Sequence, residues 1–273
     1  MERAKPKFER LRTIYLNTLE AMKTNPQTYC RGLAPSPDVS AGEIDQLKAQ
    51  ADAALNNITF TLSYEEAARD CVLVIEAIAE NPEEKIAFYT ELAKHLPKKT
   101  IIATNSSTML PSAFAQHTGR PEKYLALHFA NKIWRNNTAE VMRHPETSKQ
   151  AYDDVAEFAE TISMIPLKLQ KEQPGYILNS LLVPFLSAAE ALLATGVADC
   201  ETIDKTWMLA TGAPLGPFRI LDIVGLTTAC SIGIMDPRSK YPGTVQGKVI
   251  ALLKGYIDEG KTGVNAGEGF YKY

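Results

Sequence analysis

Apolar residues recur at helical spacing over residues 6–24, where Phe8, Leu11, Ile14, Tyr15, Leu19 and Met22 share one stripe. A proline-containing loop follows, and Ser40 with Glu43 forms an S-x-x-E capping box that opens a second helix to about Leu55. Residues 6–55 therefore predict a helical hairpin, with Lys5, Lys7, Arg10 and Arg12 as solvated surface. From Asn57 the period shortens. NITFTL predicts a short strand, and Ser63 with Glu66 caps a brief turn of helix. CVLVIEAI (71–78) is a continuous apolar run of strand length, which predicts a strand covered on both faces. Asn81-Pro82 starts a helix through Leu96, with proline at its favoured first position. Residues 100–105 predict another buried strand, 111–117 a short helix, and YLALHFA (124–130) a fourth strand. A further strand carries Glu140, SKQAYDDVAEFAETIS is helical, and IPLKLQ is again a strand. Strands alternating with helices imply βαβ units and a mainly parallel sheet.

Beyond Gln173-Pro174-Gly175 the strand pattern stops, and 176–195, 199–211, 217–233 and 246–258 all read as helices. The first is almost wholly apolar, so it must pack inside its domain or against a second subunit. Its Asn179, Ser180, Pro184 and Glu190 argue for a buried helix and against a membrane span. The expected architecture is an α/β domain over 1–172, with the hairpin 6–55 as an insertion, and an all-helical domain over 173–273. Composition changes little: 45% hydrophobic and 22% charged residues are those of a soluble globular chain. A net charge of -3 gives no reason to expect a nucleic-acid partner. Cys30, Cys71, Cys200 and Cys230 show no CxxC spacing, which favours free thiols in a reducing, cytoplasmic compartment. MERAKPKFERLR lacks the apolar core of a signal peptide.

Candidate chemistry sits at the end of the 124–130 strand, which delivers His128 and Asn131. Open α/β sheets bind ligands at strand C-termini. Oxidising an alcohol needs a base near neutral pH and a group to orient it, and imidazole with the carboxylate of Glu140 supplies both. Several motifs then fall into one order: VIEAIAENPEEK (74–85), TNSSTM (104–109), LHFAN (127–131) with Glu140 twelve residues after His128, PGYILN (174–179), GAPLGPFRILDIVGL (212–226) and GEGFYKY (267–273). Together, from about residue 8 to the C-terminus, they resemble the NAD-dependent 3-hydroxyacyl-CoA dehydrogenases, the bacterial 3-hydroxybutyryl-CoA dehydrogenases in particular.

The resemblance implies an incomplete Rossmann-type parallel sheet domain followed by an all-α dimerisation domain, with NAD as cofactor and an acyl-CoA as substrate. It makes His128 the general base and Glu140 the group that holds its imidazole. Ser107 would bond the reacting oxygen beside the nicotinamide, and Asn179 would polarise the same oxygen. Asn131 matches an active-site asparagine, Glu80 and Lys85 match cofactor contacts, and Asn105 lies near the nicotinamide ribose. The hairpin matches an insertion bordering the CoA, and the C-terminal helices imply a homodimer. Read singly, the residues also fit plainer roles: Ser107 as a helix cap, Asn179 as a cap or cross-link between helices, Glu80 and Lys85 as an exposed i,i+5 pair. His95, His117 and His144 read as surface residues, too dispersed for a metal site.

The sequence departs from the family pattern in two places. It contains no G-x-G-x-x-G, the turn that lets backbone reach a pyrophosphate at a helix N-terminus. The chain opens where a strand-turn-helix-strand would have ended, as expected of a domain shortened by roughly 30 residues or more, one βαβ unit. Such a domain would have the 71–78 strand as an apolar edge and would bind NAD poorly. Lys132 stands where the family usually has proline, which predicts a less rigid turn before Glu140. The functional expectation is interconversion of a short-chain (3S)-3-hydroxyacyl-CoA and its 3-oxoacyl-CoA. The alternatives are a dehydrogenase of a non-CoA hydroxy acid and a non-catalytic dimeric relative.

Overall fold

A computed structural model describes residues 5–273. By chain contacts it divides into two compact units, the first ending at Ile177 and the second spanning Leu178–Tyr273. The pattern reading put this division near 172.

The first unit opens with helices α1 (Lys5–Met22) and α2 (Ala41–Asn56). The Ser40 hydroxyl accepts from the Glu43 amide while the Glu43 carboxylate accepts from the Ser40 amide at 2.9 Å, so both arms of the capping box are present. Leu19, Met22, Ala34 and Ile44 are buried between the helices. Residues 57–62 form no strand, contrary to expectation. A strand exists only by pairing, and this segment has no ladder partner among the described residues. Ile58 and Leu62 are exposed instead, while Phe60 lies edge-on to Phe8. Ser63 caps α3 (Tyr64–Ala68).

There follow β1 (Leu73–Glu76), α4 (Pro82–Leu92), β2 (Ile101–Thr104), three short 3-10 turns, β3 (Tyr124–Phe129), β4 (Thr138–Met142), α5 (Lys149–Thr161) and β5 (Ile165–Leu169). The sheet runs in order β1-β2-β3-β4-β5. The pairs β1–β2, β2–β3 and β4–β5 are parallel, whereas β3 and β4 are antiparallel. Only residues 130–137 join β3 to β4, too few for the crossover that a parallel pair requires. The core lies on both faces of β3. Leu125 and Leu127 pack under Tyr152, Val155 and Ala159 of α5, and Tyr124 packs with Tyr89, Ile102 and Phe114. At the sheet edge β1 is covered less fully than its apolar run predicts, and Val72 and Ile75 are exposed.

The second unit holds most of α6 (Tyr176–Ala194), then α7 (Cys200–Thr211), α8 (Pro217–Val224), α9 (Leu226–Gly233) and α10 (Val245–Asp258). The single helix expected over 217–233 is two. Gly225, at φ 94, adopts a conformation that side chains rarely tolerate and breaks the run. Leu186, Ala189, Phe218, Leu221, Leu226, Cys230 and Leu253 form the core. Asp222 accepts from the Phe270 and Tyr271 amides and from the Tyr273 hydroxyl, which fastens the C-terminal GEGFYKY segment. By length and composition α6 could cross a membrane. It is not buried all round: Leu186 and Ala189 face the core, but Leu181 is 69% exposed.

Candidate active site

The antiparallel β3–β4 pair creates the site. Its register sets His128 directly opposite Glu140, and cross-strand neighbours of this kind place their side chains on one face of the sheet. Both are buried, and His128 Nδ1 lies 3.2 Å from Glu140 Oε2. On the far side of the ring, Nε2 is 3.1 Å from Ser107 Oγ. A carboxylate can only accept, so with Glu140 ionised Nδ1 carries the proton. In the neutral ring Nε2 is then the acceptor for a hydroxyl. A second carboxylate oxygen, Glu140 Oε1, accepts from the Ile177 amide at 2.9 Å, which fixes the carboxylate in turn.

Ser107 follows β2 in a turn held mainly by one carboxylate. Glu80 accepts from Ser106 Oγ at 2.7 Å, from the Ser107 amide at 3.0 Å and from Thr108 Oγ1 at 3.2 Å. Glu80 is thus an organiser of this turn, and its partner is not Lys85. Ser107 caps no helix; its hydroxyl faces the imidazole. Asn105 bridges the strand ends, its amide donating to the Glu76 carbonyl and its side-chain oxygen accepting from the Phe129 amide at 3.0 Å. Asn131 is exposed in the β3–β4 turn, where its carbonyl accepts from Asn136. Asn179 is half-buried in the first turns of α6 and belongs to the second unit.

Three expectations need correction. Lys85 is not a surface residue: it is 1% exposed, and its ammonium lies 2.8 Å from Glu76 Oε1. Tyr89, Thr104 and the Ile78 amide also donate to Glu76. Burial works to raise the Glu76 pKa, but these donors outweigh it and hold the carboxyl below its usual range. Burial pushes the hydroxyl pKa values of Tyr89 and Tyr124 far upward. His144 is also buried, with ring nitrogens at the Pro121 carbonyl and the Glu146 amide. The turn at Lys132 is not slack. Its φ of 58 is one that proline's ring forbids, and the Lys132 carbonyl accepts from the Arg135 and Asn136 amides. Trp134 packs against Tyr15, and its carbonyl accepts from the Gly32 amide.

Sequence reasoning missed Tyr176. Its ring stacks on the His128 imidazole and its hydroxyl donates to the Ser106 carbonyl at 2.7 Å. The signal was available, since Tyr176 lies within the PGYILN motif, where only the asparagine was singled out.

The arrangement can move a proton: a buried imidazole, oriented by a carboxylate, presents Nε2 beside a hydroxyl at the end of a parallel strand pair. The polar turn 105–108 sits at the C-terminal end of β2, beside that imidazole, where open α/β sheets bind ligands. No G-x-G-x-x-G for the pyrophosphate occurs in the sequence.

Comparisons with known proteins bear on the family to which the chain belongs. Residues 20–173 match the family model for the 3-hydroxyacyl-CoA dehydrogenase NAD binding domain, and 175–273 match that family's C-terminal domain. A probable 3-hydroxyacyl-CoA dehydrogenase of Caenorhabditis elegans is 34% identical over 226 residues, 82% of this chain and 72% of that protein. A probable 3-hydroxybutyryl-CoA dehydrogenase of Deinococcus radiodurans is 33% identical over 231 residues, 85% of this chain and 82% of that protein. A solved structure described as substrate-directed dual catalysis of dicarbonyl compounds by diketoreductase is 47% identical, with a TM-score of 0.84. The match covers 100% of this chain and 86% of that one.

Proposed function

We propose a substrate and a proton path for this chain, which belongs to the 3-hydroxyacyl-CoA dehydrogenase family and is an NAD-dependent oxidoreductase. The substrate is a short-chain 3-hydroxyacyl-CoA such as 3-hydroxybutyryl-CoA, interconverted with its 3-oxoacyl-CoA. The observation that carries the reading is the chain of contacts from Ser107 Oγ through the His128 ring to Glu140. When bound, NAD accepts the hydride that leaves C3. His128 Nε2 takes the proton of the 3-hydroxyl as the C3–oxygen double bond forms, and in the reverse direction returns it. Glu140 keeps the proton on Nδ1 and stabilises the imidazolium. Ser107 Oγ, beside Nε2, bonds the same oxygen and aligns it for transfer. Asn179 is carried as a further donor to that oxygen, and Asn131, Glu80 and Asn105 as ligand contacts, on the motif resemblance alone, whereas Lys85, buried against Glu76, lies out of a ligand's reach. The retained serine–histidine–carboxylate chain speaks against a non-catalytic relative.

A second reading draws on the 47% identity to the diketoreductase structure, which extends over the whole of this chain. On this reading the carbonyl reduced by NADH belongs to a dicarbonyl compound free of CoA. Lys132, where the family usually has proline, and the altered turn after β3 keep it open. Oxidation of NADH with acetoacetyl-CoA, set beside a free diketo ester, separates the two. A kcat/KM at least tenfold higher for the thioester supports the first reading, and the reverse order supports the second.

The protein is further proposed to act as a cytoplasmic homodimer, with no membrane or nucleic-acid partner. Leu209 and Met235 in the helical unit are 77% and 79% exposed, and the apolar α6 is open along one side. Apolar surface of this kind favours a second copy of the chain. Light scattering coupled to gel filtration tests it: twice the chain mass of 30.0 kDa is expected, and a monomer would overturn it.

A further inference from the structure

One face of the His128 ring is covered by a side chain that takes no part in proton transfer. The Tyr176 ring lies flat against it, with centroids 4.4 Å apart and planes 11° from parallel. Tyr176 is buried and has a φ of 55, uncommon for a residue with a side chain. Bonds on all sides hold it there. Its amide donates to the Gln173 carbonyl at 3.0 Å, its hydroxyl to the Ser106 carbonyl at 2.7 Å, and the next amide, Ile177, to Glu140. The tyrosine is therefore tied to the serine turn at one end and to the histidine's carboxylate at the other.

We propose that Tyr176 is a positioning residue for the proton-transferring imidazole, fixing the plane of the His128 ring and stabilising its protonated form. The proposal rests on His128 acting as the base. The contacts at Nδ1 and Nε2, 3.2 and 3.1 Å long, grip the ring only at its edge and leave one freedom, a rocking about the Cβ–Cγ bond. A flat aromatic neighbour removes it. When Nε2 takes a proton the ring becomes a cation, and a cation over a π face is attracted to it. The other ionisable groups around Tyr176 are Glu140 on β4, Glu80 before α4, Glu76 on β1 and the Tyr124 hydroxyl on β3. All of them remain when the tyrosine ring is removed, and Tyr176→Phe separates loss of the stack from loss of the hydroxyl bond to Ser106.

The test compares Tyr176→Leu and Tyr176→Phe in both reaction directions, with pH–rate profiles and histidine-ring NMR. Tyr176→Leu is expected to lower kcat about 3- to 30-fold, the range of a lost cation–π contact, while leaving KM within about twofold. Losing a group that favours the imidazolium should displace the pH–rate profile toward lower pH. Tyr176→Phe keeps the stack and should restore both rate and profile. Tyr176→Leu with the parent's kcat and profile, or Tyr176→Phe as impaired as Tyr176→Leu, would overturn the proposal. In the parent protein the His128 ring protons should lie upfield of those of exposed His117 through shielding by the tyrosine ring. Unshielded protons would overturn the stack even if the leucine variant fails to fold. His128→Ala with near-parent turnover would remove the base assignment, and the role with it, yet leave that shielding in place, so the two failures are distinguishable.

Discussion

Replacing Glu76 by glutamine removes a charge and almost no volume. Glu76 Oε1 accepts from Lys85 Nζ at 2.8 Å and the Ile78 amide at 2.7 Å, while Oε2 accepts from Tyr89 at 2.6 Å and Thr104 at 2.8 Å. Glutamine keeps one acceptor and turns an NH₂ toward donors on the other side. It also leaves the Lys85 ammonium, 1% exposed, without a counter-charge. Removing one partner of a buried ion pair costs about 3–5 kcal/mol. The retained carboxamide oxygen offsets part of this, so about 3 kcal/mol is expected for the first unit. The pH dependence has a definite sign. A carboxyl held below its unfolded value contributes stability that is present above that value, 4.5, and is lost as pH falls through the lower folded one. The parent–variant difference should be complete at neutral pH and should shrink on acidification. The chain has two tryptophans, so Trp134 fluorescence in a Trp207→Phe background reports urea unfolding of the first unit. A difference below about 1 kcal/mol at neutral pH, or one that widens in acid, would refute the reasoning.

Other consequences can be checked in parallel. Ser107→Ala and Glu140→Gln should each lower kcat about 10- to 1,000-fold, since one removes an aligned hydroxyl and the other the carboxylate that sets the tautomer; steady-state kinetics decide, and an unchanged kcat counts against either role. Glu190, buried in α6 with one carboxyl oxygen lacking a hydrogen-bond partner, has its pKa pushed up to about 7 by burial. A raised folded pKa means stability that is complete below the unfolded value of 4.5 and lost as pH rises through about 7. Glu190→Gln should therefore stabilise the second unit by about 1–3 kcal/mol at pH 8 and little at pH 5, read from Trp207 fluorescence. At Gly32 an added Cβ would sit 2.5 Å from the Ile133 carbonyl oxygen and 2.9 Å from Trp134 Cα. Gly32→Ala should cost about 1–3 kcal/mol in urea melts, because only backbone is there to yield.

Local chemistry made much of the fold legible. The Ser40–Glu43 box, the Ser63 cap and Asn81-Pro82 each mark a helix start that the structure contains, because capping bonds depend on residues only three apart. What failed depends on distant partners. Residues 57–62 have strand composition but no ladder to join. The 217–233 run breaks at Gly225, a glycine that helical periodicity alone passes over. Lys85 looked exposed because its neighbours Glu83 and Glu84 are; its partner, Glu76, sits inside an apolar run that reads as uniform core. Proline's usual place at 132 suggested a loose turn, whereas the left-handed backbone there is closed by its own carbonyl. At the site, His128, Glu140 and Ser107 were nameable by motif, but their convergence needs the antiparallel β3–β4 register. Tyr176 escaped because a stacking role leaves no polar signature in a sequence.

The central claim is that His128 moves the proton of the reacting oxygen. Single-turnover oxidation of NADH by acetoacetyl-CoA with His128→Ala tests it most directly, beside the parent protein at the same saturating ligand concentrations. Loss of a positioned base and acid predicts a rate lower by about 10²–10⁴. A rate within about threefold of the parent would contradict it and return the imidazole to a structural role.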